Sequence, residues 1–164
     1  MHVYGIEEHL AKTWLMLVGE SLCFSAQAID HSALEAQHYF VVTLHPTPKG
    51  HLAGVGLAIA EDDARMLASR MFEVPLQALS AADVADACAE LSNIFASGVP
   101  SHLSGDVVLD LGLPAPLSAQ QFLSVLAAST ISGSYITQQR NHCIQVIIFE
   151  SLEIPPAIGW SPPQ

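Results

Sequence analysis

The sequence predicts an α+β fold in which an antiparallel sheet carries two long helices packed on one face. Residues 38–45 form a β-branched and aromatic run, and a segment with two prolines and a glycine separates it from an apolar run at residues 51–59. This pattern is typical of a β-hairpin. Helical spacing of apolar residues occurs at residues 6–21 and again at residues 81–98, which accounts for the two helices.

The composition favours one domain with a large core. Of the 164 residues, 51% are hydrophobic and only 13% are charged, so extensive burial is expected. We expect a single domain over residues 1–154, because neither an internal repeat nor a domain boundary is visible. Residues 155–164 are rich in proline, which disfavours a core element, and are expected to form a tail.

The first part of the chain is expected to supply one helix and three strands. The helix at residues 6–21 has five apolar residues near one face: Leu10, Trp14, Leu15, Leu17 and Val18. Strands are expected at residues 24–30 and in the hairpin. Gly54 and Gly56 lie two residues apart, and therefore on one face of the second hairpin strand. This spacing indicates that a helix packs closely there.

Three helices and three strands are expected after the hairpin. Acidic residues open a helix at Glu61, and Pro75 ends it. Ser80 and Asp83 are expected to form a capping box for the next helix, and Ser118 is expected to cap a shorter one. The strands are expected at residues 106–113, near Tyr135 and at residues 142–149.

The helix at residues 81–98 divides its residues between two faces. Asp86, Glu90 and Asn93 are spaced by four and three residues, so at about 100° per residue they form one column. The apolar residues of the segment fall on the opposite side: Val84, Ala87, Cys88, Leu91, Ile94 and Phe95. One face is therefore expected to anchor the helix in the core, while the other presents Glu90 and Asn93 to a partner.

This spacing resembles the signature of the CheX/CheC chemotaxis phosphatases. The pattern is Asp or Ser, three residues, Glu, two residues, Asn, then twenty-two residues and Pro, and Asp86, Glu90, Asn93 and Pro116 match its four fixed positions. The acidic and amide motif occurs once, so the chain resembles CheX rather than CheC. The sequence departs from the pattern at the end of the helix, because a glycine is expected closer to the asparagine than Gly98 is.

The resemblance implies that the chain hydrolyses the aspartyl phosphate of a CheY-like response regulator. It implies that Asn93 orients the attacking water and that Glu90 pairs with the active-site lysine of the receiver. Asp86 and Ala89 are then expected to contact the partner, and Pro116 to shape the loop beneath the site. The receiver supplies its own Mg²⁺, so the chain is expected to carry no cofactor. The resemblance also implies a homodimer.

The charge of the chain disfavours other classes of partner. The net charge is −11, and the five lysines and arginines form no cluster. Counter-ion release from phosphates needs such clusters, so binding to nucleic acid or to an anionic membrane is not expected. No apolar run approaches the roughly 20 residues that a membrane span requires. We find no signal peptide, so the cytoplasm is the expected location.

Other catalytic and metal motifs are missing from the sequence. The eight histidines form neither HxxxH nor HExxH, so no metal site is expected. The three cysteines form no CxxC and are expected to be reduced. The sequence contains neither GxSxG nor GxGxxG, which disfavours a serine hydrolase and a nucleotide-binding fold.

Two alternatives to an enzyme remain open. A CheX-like domain can bind a receiver or another signalling protein without turnover. A structural relative in the flagellar switch can share the fold without the activity. Replacement of Asn93 distinguishes an enzyme from a binding module, and stable assembly into a multi-protein ring would favour the switch relative.

Overall fold

The computed structural model describes residues 3–35, 38–45, 52–103 and 108–151. These residues form four helices and one seven-stranded sheet. The helices are α1 (Glu7–Val18), α2 (Glu61–Phe72), α3 (Ala81–Ser97) and α4 (Ala119–Ala127). The strands are β1 (Phe24–Ala26), β2 (His38–His45), β3 (Leu52–Ile59), β4 (Asp110–Leu111), β5 (Ala115–Leu117), β6 (Ser129–Thr137) and β7 (Ile144–Ser151). The predicted tail and the tip of the predicted hairpin lie outside the described residues.

The strands pair antiparallel in the order β1, β6, β7, β3 and β2, and both β4 and β5 pair with the outer side of β2. The predicted hairpin is confirmed, because β2 has its predicted bounds and pairs along its length with β3. In this register Val41 lies opposite Gly56. β7 lies on the other side of β3, so these two apolar strands occupy the middle of the sheet.

Both faces of the sheet are covered by helices. On one face, Phe40, Val42 and Leu44 of β2 pack with α1, α2 and α3. The alternate residues of the same strand, Tyr39 and Val41, pack with α4 on the other face. The prediction of two long helices on one face is confirmed, and the structure adds α2 to that face and α4 to the other. Burial of both faces explains why apolar residues of β2 lie on both sides of the sheet and why its six inner residues are all buried.

Two helices are shorter than the sequence predicts, because each ends at a residue with positive φ. α1 ends before Gly19, which has φ 82° and donates its N–H to the Leu15 carbonyl. Leu15, which is predicted to face the core, is 47% exposed. α2 ends at Phe72, because Glu73 has φ 54°.

None of the described helices is long and apolar enough to cross a membrane.

Two strands at the margins of the sheet are much shorter than the sequence predicts. β1 keeps only the first three residues of the strand predicted at 24–30. β4 keeps two residues of the strand predicted at 106–113, paired with the end of β2. Residues 106–107 of that prediction lie outside the described part of the chain. Each of these strands has one neighbour to pair with, so its length depends on that neighbour more than on its own sequence.

The strand predicted near Tyr135 is longer than expected and begins at Ser129. It pairs with β7 over most of its length, and the register shifts at a bulge between Ile131 and Gly133. The last strand begins and ends two residues later than the predicted 142–149. Pairing with a long apolar neighbour therefore outweighs the weak strand preference of serine and glycine in β6.

The close approach predicted at Gly54 and Gly56 is present, and it explains how α4 packs on the sheet. A Cβ atom at Gly56 would lie 2.9 Å from the ring of Phe122 in α4. A Cβ atom at Gly54 would lie 2.5 Å from the ring of Phe149 in the adjacent strand. The prediction of a closely packed helix is thus confirmed at Gly56, whereas Gly54 accommodates a side chain of the sheet itself.

Candidate functional site

The helix that carries the polar column, α3, has a well-defined start. Ser80 Oγ accepts a hydrogen bond from the Asp83 N–H at 3.1 Å, and Asp83 Oδ2 accepts one from the Ser80 N–H at 2.9 Å. This is the predicted capping box, with Asp in place of the more usual Glu. The box satisfies backbone donors that helix geometry leaves unpaired, and it fixes where α3 begins.

One face of α3 is anchored in the core. Phe95 packs edge-on against Phe24 of β1, with ring centroids 5.9 Å apart. Ser92 is also buried, and its Oγ donates to the Cys88 carbonyl at 2.8 Å, which satisfies the hydroxyl within the helix. Burial, with a smaller contribution from the charge of Glu61, raises the pKa of the Cys88 thiol from 9.0 to about 12. Cys88 is therefore a neutral core residue at physiological pH.

The opposite face of α3 presents the polar column. Asp86 and Glu90 are exposed, and Asn93 is half-buried. Among the described residues, none of these three side chains makes a hydrogen bond or an ion pair. Their carboxylate and amide groups are therefore available to a partner. Residues three apart on a helix have Cβ atoms about 5–6 Å apart, so Glu90 and Asn93 can act on neighbouring atoms of one target.

Small side chains lie beside the column. Ala89 is half-buried against the margin of the core, and Ala82 is exposed one helical turn before Asp86. Such residues leave the helix open to close approach by another backbone. The structure thus brings the predicted partner-binding residues, Asp86 and Ala89, to the same side of α3 as Glu90.

Pro116 lies in a strand and not in the loop that the sequence predicts. It is the middle residue of β5 and stands opposite Phe40 of β2. Proline is tolerated at a sheet edge, because an edge strand leaves some backbone N–H positions unused. β5 also contacts α3. Pro116 therefore borders the site helix as part of the sheet edge, and the predicted loop beneath the site is absent at this position.

A second polar cluster, which no sequence pattern indicates, lies in an open cleft of about 540 Å³ beside the start of α2. Asp63 is buried there and accepts hydrogen bonds from the Cys143 N–H at 2.7 Å and from His142 Nδ1 at 2.5 Å. At the same end of the sheet, His38 pairs with Glu61. The carboxylates of Asp63 and Glu61 therefore link the start of α2 to residues of the sheet and of the segment before β7.

The described residues contain no group of three or more His, Cys, Asp or Glu that could hold a metal ion.

No protein-family model matches the sequence, and no curated protein matches it either. Solved structures do match the fold. CheX from Vibrio vulnificus aligns with a TM-score of 0.61 and 11% identity, over 89% of this chain and 93% of that one. A chain of the CheX–CheY–BeF₃–Mg²⁺ complex from Borrelia burgdorferi aligns with a TM-score of 0.65 and 13% identity, over 89% of this chain and 95% of that one.

The same fold occurs in a domain of FliM. The middle domain of FliM from Vibrio alginolyticus aligns with a TM-score of 0.56 and 7% identity, over 93% of this chain and 89% of that one. Identities at this level establish a common fold and leave the activity to be argued from the site. The chain therefore has the fold of the CheX-like chemotaxis proteins, with its polar column displayed on α3.

Proposed function

We propose that this chain is a cytoplasmic phosphatase that hydrolyses the aspartyl phosphate of a CheY-like response regulator, in chemotaxis or in another two-component circuit. The observation that carries the proposal is that Glu90 and Asn93, on the face of α3 opposite the core, have no hydrogen-bond or ion-pair partner among the described residues. The CheX-like fold supports it. So does the structure of a protein with this fold in complex with CheY, BeF₃ and Mg²⁺.

Hydrolysis of the phosphoaspartate requires few groups from the phosphatase itself. Phosphoryl transfer depends mainly on positioning and on stabilisation of charge, and the receiver supplies Mg²⁺ and a lysine beside its phosphoaspartate. The missing component is a water held in line with the phosphorus. The Asn93 amide can donate to and accept from that water without bringing a negative charge towards the phosphoryl oxygens. The water attacks phosphorus, the aspartate carboxylate leaves, and inorganic phosphate is released.

Glu90 is proposed to pair with the receiver lysine and so to set the docking register. It precedes Asn93 by one helical turn, so a single docking event places both side chains. Asp86 and Ala89 extend the contact along α3. The chain has a net charge of −11, and receivers are commonly acidic, so affinity must come from these short-range contacts rather than from long-range attraction. The metal belongs to the receiver, and the chain brings no cofactor of its own.

A non-catalytic role is the second candidate, because a shared fold does not by itself establish turnover. In this alternative the chain binds a receiver or another signalling protein without turnover, and Glu90 and Asn93 serve in docking alone. The two candidates differ in what they require of Asn93. Its amide is essential to a phosphatase and is one contact among several in a binding module.

The test is the rate of phosphate loss from a Mg²⁺-bound CheY-like receiver loaded by a small phosphodonor, with and without this protein. We expect the wild type to accelerate the loss and Asn93→Ala to lower kcat about a hundredfold with little change in KM. Glu90→Ala should raise KM and also lower kcat. Gln120→Ala replaces an exposed amide on α4, on the other face of the sheet, and should leave both constants unchanged.

Three results would contradict the proposal or the role that it gives to Asn93. If the phosphate lifetime of every receiver in the host is unaltered by the wild type, the chain is not a phosphatase of this class. If a receiver binds and its phosphate lifetime is unchanged or longer, the non-catalytic alternative is supported. An Asn93→Ala variant as active as the wild type would show that another group positions the water.

We also propose that the chain forms a homodimer, as the resemblance implies. Among the described strands β1 pairs with β6 alone, so its outer edge presents unpaired backbone groups of the kind that a second sheet can join. Light scattering at micromolar concentration should report twice the mass of the chain. A monomer under those conditions would contradict the dimer.

A further inference from the structure

The C-terminal end of α3, just beyond Asn93, is held by a side chain from α1. The Gly98 N–H donates to two carbonyls that follow Ile94, so the Ile94 carbonyl lacks the donor that helix geometry would supply. It accepts instead from His9 Nε2 at 3.0 Å and from Ser97 Oγ at 2.6 Å. Because a carbonyl oxygen only accepts, His9 Nε2 carries a proton in this contact.

Gly98 makes room for the His9 ring. A Cβ atom at Gly98 would lie 2.2 Å from Cδ2 of that ring. Gly98 has φ −78°, which any residue can adopt, so the glycine is needed for space and not for its backbone conformation. His102 lies beside the same ring, with centroids 6.3 Å apart, and its Nδ1 donates to the Gly98 carbonyl at 2.8 Å. Two histidines and a glycine therefore close this end of the helix.

This end of α3 must be fixed if Asn93 is to orient a water. Helix ends fray, asparagine is a weak helix former, and Asn93 lies about one turn from the last residue of the helix. A functional side chain has to be held within about 0.5 Å of its working position. The His9 hydrogen bond is made at the carbonyl of the next residue, Ile94, and comes from a different helix.

We propose that His9 is a positioning residue for Asn93, acting through its hydrogen bond to the Ile94 carbonyl and through the space that Gly98 leaves open. The proposal rests on the proposed phosphatase function. His9 does not touch the phosphoryl group. It holds the last turn of α3, so that the Asn93 amide meets the attacking water in one orientation.

The test compares kcat and KM for receiver dephosphorylation across matched variants. His9→Ala is expected to lower kcat about tenfold and to leave KM within about twofold, because docking through Glu90 is untouched. His9→Gln should restore most of kcat, since an amide N–H can reach the same carbonyl. Gly98→Ala should reproduce the loss, because its Cβ displaces the ring. His31→Ala, at an exposed histidine, is the control and should change neither constant.

A double variant separates positioning from a general loss of structure. If His9 acts through Asn93, His9→Ala should cause no further loss of kcat once Asn93→Ala is present. A further loss of about tenfold in the double variant would overturn the proposal, because His9 would then act on the domain as a whole. Thermal unfolding of each variant establishes that the assay temperature lies below its transition.

Failure of this proposal and failure of the proposed function give different results. A wild-type protein that does not accelerate phosphate loss overturns both. An active wild type together with an unchanged kcat in His9→Ala overturns the positioning role alone and leaves the phosphatase function standing.

Discussion

Trp14 of α1 is fully buried, yet its indole Nε1–H has no hydrogen-bond partner among the described residues. An unpaired buried donor costs on the order of 1–3 kcal/mol. The large apolar surface of the ring offsets this cost, because Trp14 packs in the core between α1 and the sheet with residues such as Leu10 and Val18. The position is therefore held by packing and not by a polar contact.

We expect Trp14→Phe to lower the unfolding free energy by less than about 1.5 kcal/mol. Phenylalanine removes the unpaired donor, which offsets part of the contact area that is lost. Trp14→Ala leaves a large cavity and should cost about 3–5 kcal/mol. Urea unfolding followed by circular dichroism measures both losses. A Trp14→Phe loss well above about 1.5 kcal/mol would contradict this account and would show that the indole N–H makes a polar contact that matters.

At the scale of elements, the sequence predicts those segments whose signals are local. The bounds of β2 and the start of α3 follow from β-branched residues and from the Ser80 capping box, which act within a few residues. β5 could not be predicted, because Pro116 argues against a strand and only pairing with Phe40 of β2 produces one. The candidate site divides in the same way: the polar column follows from local spacing, whereas the contact of His9 with α3 joins residues 85 apart.

The packing of α4 on the sheet leads to a prediction at this scale. Gly56→Ala places a methyl group about 2.9 Å from the Phe122 ring, and overpacking of this kind costs about 1–3 kcal/mol. Phe122→Leu combined with Gly56→Ala should cost less than the sum of the two single changes, because the smaller side chain clears the space. Urea unfolding of the wild type, the two single variants and the double variant gives the coupling free energy between positions 56 and 122. Strictly additive losses would show that α4 does not rest on Gly56.

For the molecule as a whole, buried thiol and phenol groups are expected to lower the stability of the folded protein at high pH. Burial is the largest cause that raises the pKa of four groups above their ordinary values: Tyr39, Cys88, Tyr135 and Cys143. Neighbouring negative charges add to the effect, as Asp63 does at Cys143. In the unfolded chain each group loses its proton at a lower pH than in the folded protein. The unfolded state then binds fewer protons across that interval, so stability falls as the pH rises.

We therefore expect the unfolding free energy to fall from about pH 9 upward. Cys88 alone contributes up to about 1.4 kcal/mol per pH unit, because its thiol titrates near 9.0 when unfolded and at about 12 when folded. Cys88→Ala should have a lower unfolding free energy at neutral pH, because it leaves a small cavity. Its unfolding free energy should then fall less steeply than that of the wild type as the pH rises. Cys23→Ala, at an exposed thiol, is the control and should keep the wild-type slope. Urea unfolding under reducing conditions, from about pH 7 to 11, measures these slopes. A Cys88→Ala curve parallel to that of the wild type would show that the alkaline loss arises from Tyr39, Tyr135 and Cys143 and not from the buried thiol of the site helix.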